Sequence, residues 1–300
     1  MGRRIAAILT LALAVMALGA LPARAQLVEN LGALTSDNAR KYLGPLPDAF
    51  SGTMNAAIFS TGDVPVTGIN FSIGVKVMGI SFSSENRLYT PTDPPGFSSV
   101  APIQQAPTVI GGTSAVAQGG QGGATVFYPG GFDVGEFAFA APQVSIGSVL
   151  GTRAVVRWAA ANFGAREFIS SVDYFGVGAQ HSVSQYFTAL PFDLALGAFY
   201  QQLKIDDTLI DARTYHIDLT ASKSFRILQP YGAIGVDSFT MDVLYEDSTN
   251  PGTNIAVNFD RTSNIHLTAG VLAKLGFAQL HAEANIAATT GLAVGLMFGN

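Results

Sequence analysis

The chain has 300 residues, of which 48% are hydrophobic and only 12% charged, and its formal net charge is −5. A soluble domain usually carries about 25% charged residues, so this composition does not supply a conventional wet surface. The acidic balance excludes an electrostatic footprint for nucleic acid. The absence of cysteine excludes disulfides, thiolate metal sites and cysteine nucleophiles.

Arg3 and Arg4 precede an apolar run from Ile5 to Leu21, and Ala23-Arg24-Ala25 offers a cleavage site before Gln26. This pattern predicts a secretory signal peptide over 1–25 rather than a transmembrane anchor, for which the run is short. Its removal takes away three arginines and no acid, leaving 13 bases against 21 acids and a net charge of −8. An exported chain without disulfides needs another source of stability, and a large closed sheet is one.

Residues 26–62 form a distinct N-terminal segment. Within it, TSDNARKYLGP (35–45) predicts one short helix: Thr35 or Ser36 caps it, Gly44 takes a left-handed position after it, and Pro45 stops it. The segment is either a lead-in or a plug in or under a barrel.

From residue 66 to 300 the signal is β. In GINFSIGVKVMGISF (68–82), Ile69, Phe71, Ile73, Val75 and Val77 alternate with Asn70, Ser72, Gly74 and Lys76, which is a strand with one apolar and one polar or small face. Further strands are predicted near 132–147, 150–160, 168–187, 190–205, 211–225, 229–246, 253–275, 276–288 and 290–299. A run of 18 apolar residues is absent after the leader, so hydrophobicity is spread over alternating segments of about ten residues, as in a transmembrane β-barrel. The connections at 189–192, 226–230 and 274–277 are tight. Those at 206–211 and 246–254 are longer, and 83–131 is a very long loop. Tyr186, Phe187, Phe192, Phe225, Tyr231, Phe277 and Phe298 gather beside the tight turns, as an interfacial belt would. The expected fold is all-β, an antiparallel up-and-down transmembrane barrel of about 10 (10–12) strands with a short N-terminal helical plug. Residues 52–60, or a pair hidden in the long loop, would supply the extra strands. The competing fold is a soluble exported β-sandwich.

The glycine-rich stretch 111–131 has no lysine and lacks the phosphate-binding spacing; it reads as an extracellular loop that narrows the pore if it folds inward. By alternation, His216 and Asp218 point into the lumen, as do His266 and the set His281, Glu283 and Asn285. Histidine beside carboxylate and hydroxyl groups is the raw material of a nucleophilic site, but a nucleophile-elbow motif is absent. The H-x-x-x-H spacing of a zinc site is absent too. The histidines are therefore expected to line the lumen, without catalytic role, metal or cofactor. Arg153 and Arg157 share a face with Val155, opposite Trp158, and pairing with Asp193, Asp218 or Glu283 is expected. The sharper alternative is a constriction ring for anionic solutes.

The stretches LTSDNARKYLGPLPDAFSGTMNAAIF (34–59) and PQVSIGSVLGTRAVVRW (142–158) resemble an uncharacterised family of exported bacterial β-barrel proteins, which has no established catalytic residues to carry over. More distantly, a short helix ahead of a barrel resembles the long-chain fatty-acid outer-membrane transporters, in which an N-terminal hatch plugs a barrel that admits hydrophobic molecules. This chain departs from them in lacking an Asn-Pro-Ala hatch motif, in length, and in following Phe298 with Gly299-Asn300. The resemblance implies an outer-membrane location, contact with lipid and the barrel-insertion machinery, and passive passage of a small, hydrophobic solute. The alternatives are a structural or interaction barrel with a filled lumen working through its loops, a soluble sandwich that binds a ligand, and an outer-membrane enzyme built on the histidines.

Overall fold

A computed structural model describes residues 24–162, 171–187, 189–206, 208–248 and 250–299; the predicted signal peptide lies outside them but for its last two residues. Three helices come first: α1 (Arg24–Gly32), α2 (Ser36–Tyr42) and α3 (Pro45–Met54). The strands follow as β1 (Asn70–Ser81), β2 (Leu88–Tyr89), β3 (Ala106–Pro107), β4 (Val116–Gly119), β5 (Thr125–Tyr128), β6 (Glu136–Val149) and β7 (Thr152–Asn162). After them come β8 (Ser171–Ser182), β9 (Asp193–Ile205), β10 (Ile210–Ser222), β11 (Leu228–Glu246), β12 (Asn254–Leu275), β13 (Ala278–Ile286) and β14 (Thr290–Gly299). Ten of them close an antiparallel barrel in the order β1-β14-β13-β12-β11-β10-β9-β8-β7-β6, with β1 paired to both β14 and β6. The long loop holds no barrel strand; it carries two small hairpin sheets, β2–β3 and β4–β5.

The side-chain alternation read from the sequence sets inside and outside. On β10, Tyr215, Ile217 and Leu219 face out while His216, Asp218 and Thr220 are buried inside; on β14, Leu292, Val294 and Leu296 face out. Parity is held along the strands because a one-residue slip would turn a whole apolar set inward; β12 changes it once, where its register with β11 shifts between Asp237 and Phe239, so that Val257 and His266 are both buried. The outer apolar band is about nine residues tall, from Phe192 to Tyr200 on β9, after which Gln202 and Lys204 follow. It is bounded on one side by Tyr186, Phe187, Phe192, Phe225 and Phe277, and on the other by Trp158, Phe175 and the paired rings of Tyr200 and Tyr215, 4.9 Å apart. Tyr231 does not join the first girdle. It is buried in the lumen, where its hydroxyl donates to Glu283 Oε2 at 2.6 Å.

The two rims differ less than the sequence predicts. At the rim where β1 begins and β14 ends (the terminal rim), 150–151 and 276–277 are two-residue turns, but 183–192 takes ten residues. The predicted strand 168–187 stops at Ser182, because Ser184–Tyr186 winds into a 3-10 turn. At the opposite rim (the loop rim), 82–135 is long, whereas 206–209 and 287–289 are short. The asymmetry therefore rests mainly on one loop.

One seam is weak. β6 pairs with β7 at five residue positions, from Gln143↔Arg157 to Val149↔Thr152, whereas every other seam has nine or more. The ladder stops just before Pro142, which has no N–H to donate. Beyond it, Phe139 closes the seam from within, its ring packed edge-on against Tyr174 of β8 at 4.7 Å.

The helical expectation needs correction as well. Thr35 caps α2 as predicted, its hydroxyl accepting from Asn38 N. Gly44, however, is right-handed (φ −47°), and Pro45 begins α3 rather than ending α2. Proline at the first helical position gives up an N–H that has no intrahelical partner anyway. Residues 52–60 add no strand: the segment leaves α3 and enters the barrel.

Candidate functional site

The lumen is occupied by the chain itself. From Met54 to Val64 nearly every residue is buried, and the segment runs from the loop rim to the terminal rim. Near the first rim Ser248 N donates to Gly32 O; near the second, Lys274 Nζ reaches Asp63 at 3.3 Å and Gly62 N donates to Ser222 Oγ at 3.0 Å. The segment that follows α3 lies inside the barrel, and the helices α1 to α3 sit over the loop rim.

Its seat is built largely from backbone. Arg157, fully buried, donates from Nη1 to Met54 O (3.2 Å) and Ala56 O (3.1 Å), from Nη2 to Ala56 O (3.2 Å) and Ala57 O, and from Nε to Gln143 Oε1 (2.8 Å). Glu283 grips the same turn from the opposite wall: Oε1 accepts from Ala57 N at 2.7 Å and from Asn285 Nδ2 at 2.9 Å. Asn55 bonds Thr214 and Gln201, and Gln180 Nε2 donates to Thr61 O at 3.0 Å. Phe59 packs on Phe199, at 6.3 Å between ring centres, beside Gly197; a Cβ at 197 would lie 2.3 Å from the Phe59 ring.

The predicted pairing of arginines with lumen carboxylates does not occur. Arg153 donates to Gln180 Oε1 and Thr61 O, and Arg157 to carbonyls and an amide. Neither ion-pairs with Asp193, Asp218 or Glu283 among the described residues. The physical reason is the plug: its carbonyls are neutral acceptors that satisfy a guanidinium without a second buried charge. Lys76, on the polar face of the 68–82 strand read from the sequence, is buried with Nζ 2.6 Å from Ser60 Oγ and 3.2 Å from His281 Nδ1. Beside it a cavity of ≈ 40 Å³ lies between Phe59, Ser60, Lys76, Arg153 and His281. That is room for a few water molecules, not for a solute in transit.

The remaining predicted residues form a second cluster. His216 Nδ1 lies 2.6 Å from Asp237 Oδ1, and His266 Nδ1 lies 2.7 Å from the other oxygen of the same carboxylate. His266 Nε2 faces Asn285 Oδ1 at 2.9 Å, and Asp218 Oδ2 accepts from Thr220 Oγ1 at 2.6 Å. His281 belongs to the Lys76 group instead. Asp237 was not singled out from sequence, although its parity on β11, between Gly235 and Phe239, points it inward.

At the loop rim, the helices and the long loop make one cap. Asn38, buried, bonds Thr92 both ways: its Nδ2 donates to Thr92 O at 2.7 Å and Thr92 N donates to its Oδ1 at 2.8 Å. Tyr42 OH donates to Gly130 O at 3.0 Å, and burial pushes its hydroxyl up to about 12. Asp37 is held below the usual carboxylate range by the hydrogen bond from Lys41 and then by that from Thr92. The glycine-rich 111–131 stretch is thus part of an ordered cap, not a loop folded into the pore.

Residues 3–300 match a protein family described as a family of unknown function, DUF6588. The chain belongs to that family. No curated protein matches it significantly.

Proposed function

We propose that this protein is an outer-membrane barrel, closed at rest by its own N-terminal segment, that works as a structural or interaction protein through the cap at its loop rim. The observation that carries the reading is the filled lumen: residues 54–64 occupy it from rim to rim. Support for the membrane comes from the outer face, where exposed Leu196, Ile217, Ile234, Ile265, Leu292 and Val294 form one apolar band between two aromatic girdles. A soluble protein rarely exposes an apolar surface of that extent, and a band about nine residues tall fits strands tilted across about 25 Å of hydrocarbon. The lipid contact and the insertion machinery expected from sequence belong to this reading.

A second reading, passive passage of a small hydrophobic solute, is favoured by the weak β6–β7 seam. There a displaced plug would leave a route between lumen and bilayer. Planar-bilayer conductance separates the two readings. The intact protein should be silent, deletion of 27–50 should strip the cap yet leave the lumen blocked, and deletion of 27–65 should conduct. Steady conductance by the intact protein would overturn the closed-barrel reading.

A further inference from the structure

We infer that the buried His216–Asp237–His266 cluster is a binding site for one divalent transition-metal ion of the zinc class. Three neighbouring strands supply it. β10 and β11 place His216 opposite Asp237, and on β12 His266 stands opposite Gly235, one step diagonal from Asp237. Gly235 brings no side chain into the space between Asp218 and His266, its partners on either side. One donor atom from each of His216, Asp237 and His266 lies within 4.8 Å of the others, and all three residues are buried. Two imidazoles and a carboxylate are a donor set that suits zinc and its first-row neighbours.

Hydrogen-bond polarity points the same way. Asn285 Nδ2 donates to Glu283 Oε1 at 2.9 Å, and Thr268 Oγ1 donates to Asn285 Oδ1 at 2.7 Å. The Asn285 oxygen is therefore the atom facing His266 Nε2, so that nitrogen must carry a proton. The other nitrogen of the same ring, Nδ1, also faces an oxygen, that of Asp237. His216 Nδ1 faces Asp237 in the same way, while its Nε2 lies 3.9 Å from Asp218 Oδ2, beyond hydrogen-bond reach. One divalent ion here would take both Nδ1 atoms and the Asp237 carboxylate as ligands and leave the His266 Nε2–H on Asn285 Oδ1, the outer-shell arrangement that metal-bound histidines show. With metal–ligand distances of about 2.0–2.2 Å in a tetrahedral site, the two short N···O contacts, 2.6 and 2.7 Å, need to open by about 0.6–0.9 Å. The ion would tie β10, β11 and β12 together beneath the plug. Because the cluster is closed off from solvent, loading accompanies folding.

The test is made on full-length protein refolded in detergent with Zn²⁺ or Co²⁺, then dialysed and checked for heat-modifiable mobility. One equivalent of zinc per chain, and ligand-field absorption from bound cobalt, are expected. Asp237→Asn and His266→Gln should lose the ion, and Asn285→Ala should weaken it by about 10–100-fold through the outer shell. His281→Gln and His181→Gln should keep it. Should the ligand variants fail to fold, the cobalt spectrum of the wild-type chain decides alone. A folded wild-type barrel that retains neither metal overturns the proposal, as does retention that survives His266→Gln or is lost with His181→Gln.

Discussion

Replacing Arg157 with methionine tests whether the plug is held by one clamp. Methionine keeps roughly the volume and the apolar stem but removes every donor, so the carbonyls of Met54, Ala56 and Ala57 and the Gln143 amide oxygen lose their partner. A buried acceptor left unsatisfied costs about 1–3 kcal/mol. Gln143 can turn toward the plug, so the three carbonyls, at the low end of that range, weaken the seat by about 3–5 kcal/mol, which raises the open fraction by roughly 10²–10³·⁵. The chain has no cysteine, so a single Ala56→Cys reports opening without background. Its labelling by a water-soluble thiol reagent follows the population of the open state when reclosing outpaces the reaction. Arg157→Met should speed labelling about 100-fold or more, with the barrel still heat-modifiable. An unchanged rate in a folded barrel would mean that the plug is held elsewhere and that the Arg157 network contributes little.

Other perturbations address other parts of the argument. Ile217→Lys places a charge near the middle of the outer band; in lipid it should cost about 2–4 kcal/mol in urea unfolding, whereas at a water-exposed position the change stays within about 0.5 kcal/mol. Ala57 has φ +56°, a conformation costing an L-residue about 1–2 kcal/mol, of which glycine's extra entropy returns about 0.5–1 kcal/mol. Ala57→Gly should therefore slow labelling at position 56 by about two- to five-fold. Asp37 has a lowered folded pKa, so its contribution to the cap is present above the ordinary value of 3.8 and is lost as pH falls through the folded value. The pair is half-exposed, at 36% and 56% for Lys41 and Asp37, so the effect stays below about 1 kcal/mol; it is read as lost protection of the Thr92 amide below pH 4, and Asp37→Asn should remove that pH dependence.

The strands were legible because their physics is local. Period-two alternation in Phe192–Tyr200 or Leu292–Phe298 assigns a face to each side chain without knowledge of any partner, and the lumen residues His216, Asp218, His266, His281 and Glu283 followed by parity. What failed was what register and route decide. His216 and Asp237 are 21 residues apart and meet only because β10 and β11 pair in one register; a search for ligand spacing within one segment cannot find them. Arg157 was placed inward correctly, yet its partners are main-chain carbonyls, which no side-chain pattern announces. The 183–187 stretch kept enough apolar character to read as strand, and only the 3-10 turn at Ser184–Tyr186 ends it.

The charge of the lumen explains why the plug has the sequence it has. Lys76, Arg153 and Arg157 face the interior, and Glu283 is the acid beside them, already engaged by Ala57 N, Asn285 and Tyr231. The plug's carboxylate, Asp63, sits at the half-exposed terminal rim with Lys274; a carboxylate deeper in the plug would pair with these cations, but each added ion would have to be desolvated, a cost that Coulomb attraction often fails to recover. Asn55-Ala56-Ala57-Ile58 offers carbonyls instead, and its short alanines let the backbone come within hydrogen-bonding reach of Arg157 on one wall and Glu283 on the other. The same choice makes the seat reversible in principle. A water-filled lumen would hydrate the three cations as readily as the plug's carbonyls do, so displacement exchanges one set of neutral acceptors for another. On the proposed reading, opening of the closed barrel would turn on the cap, where Asn38, Tyr42 and Gly32 hold the helices to the loop rim, and a partner that bound there would be placed to release them.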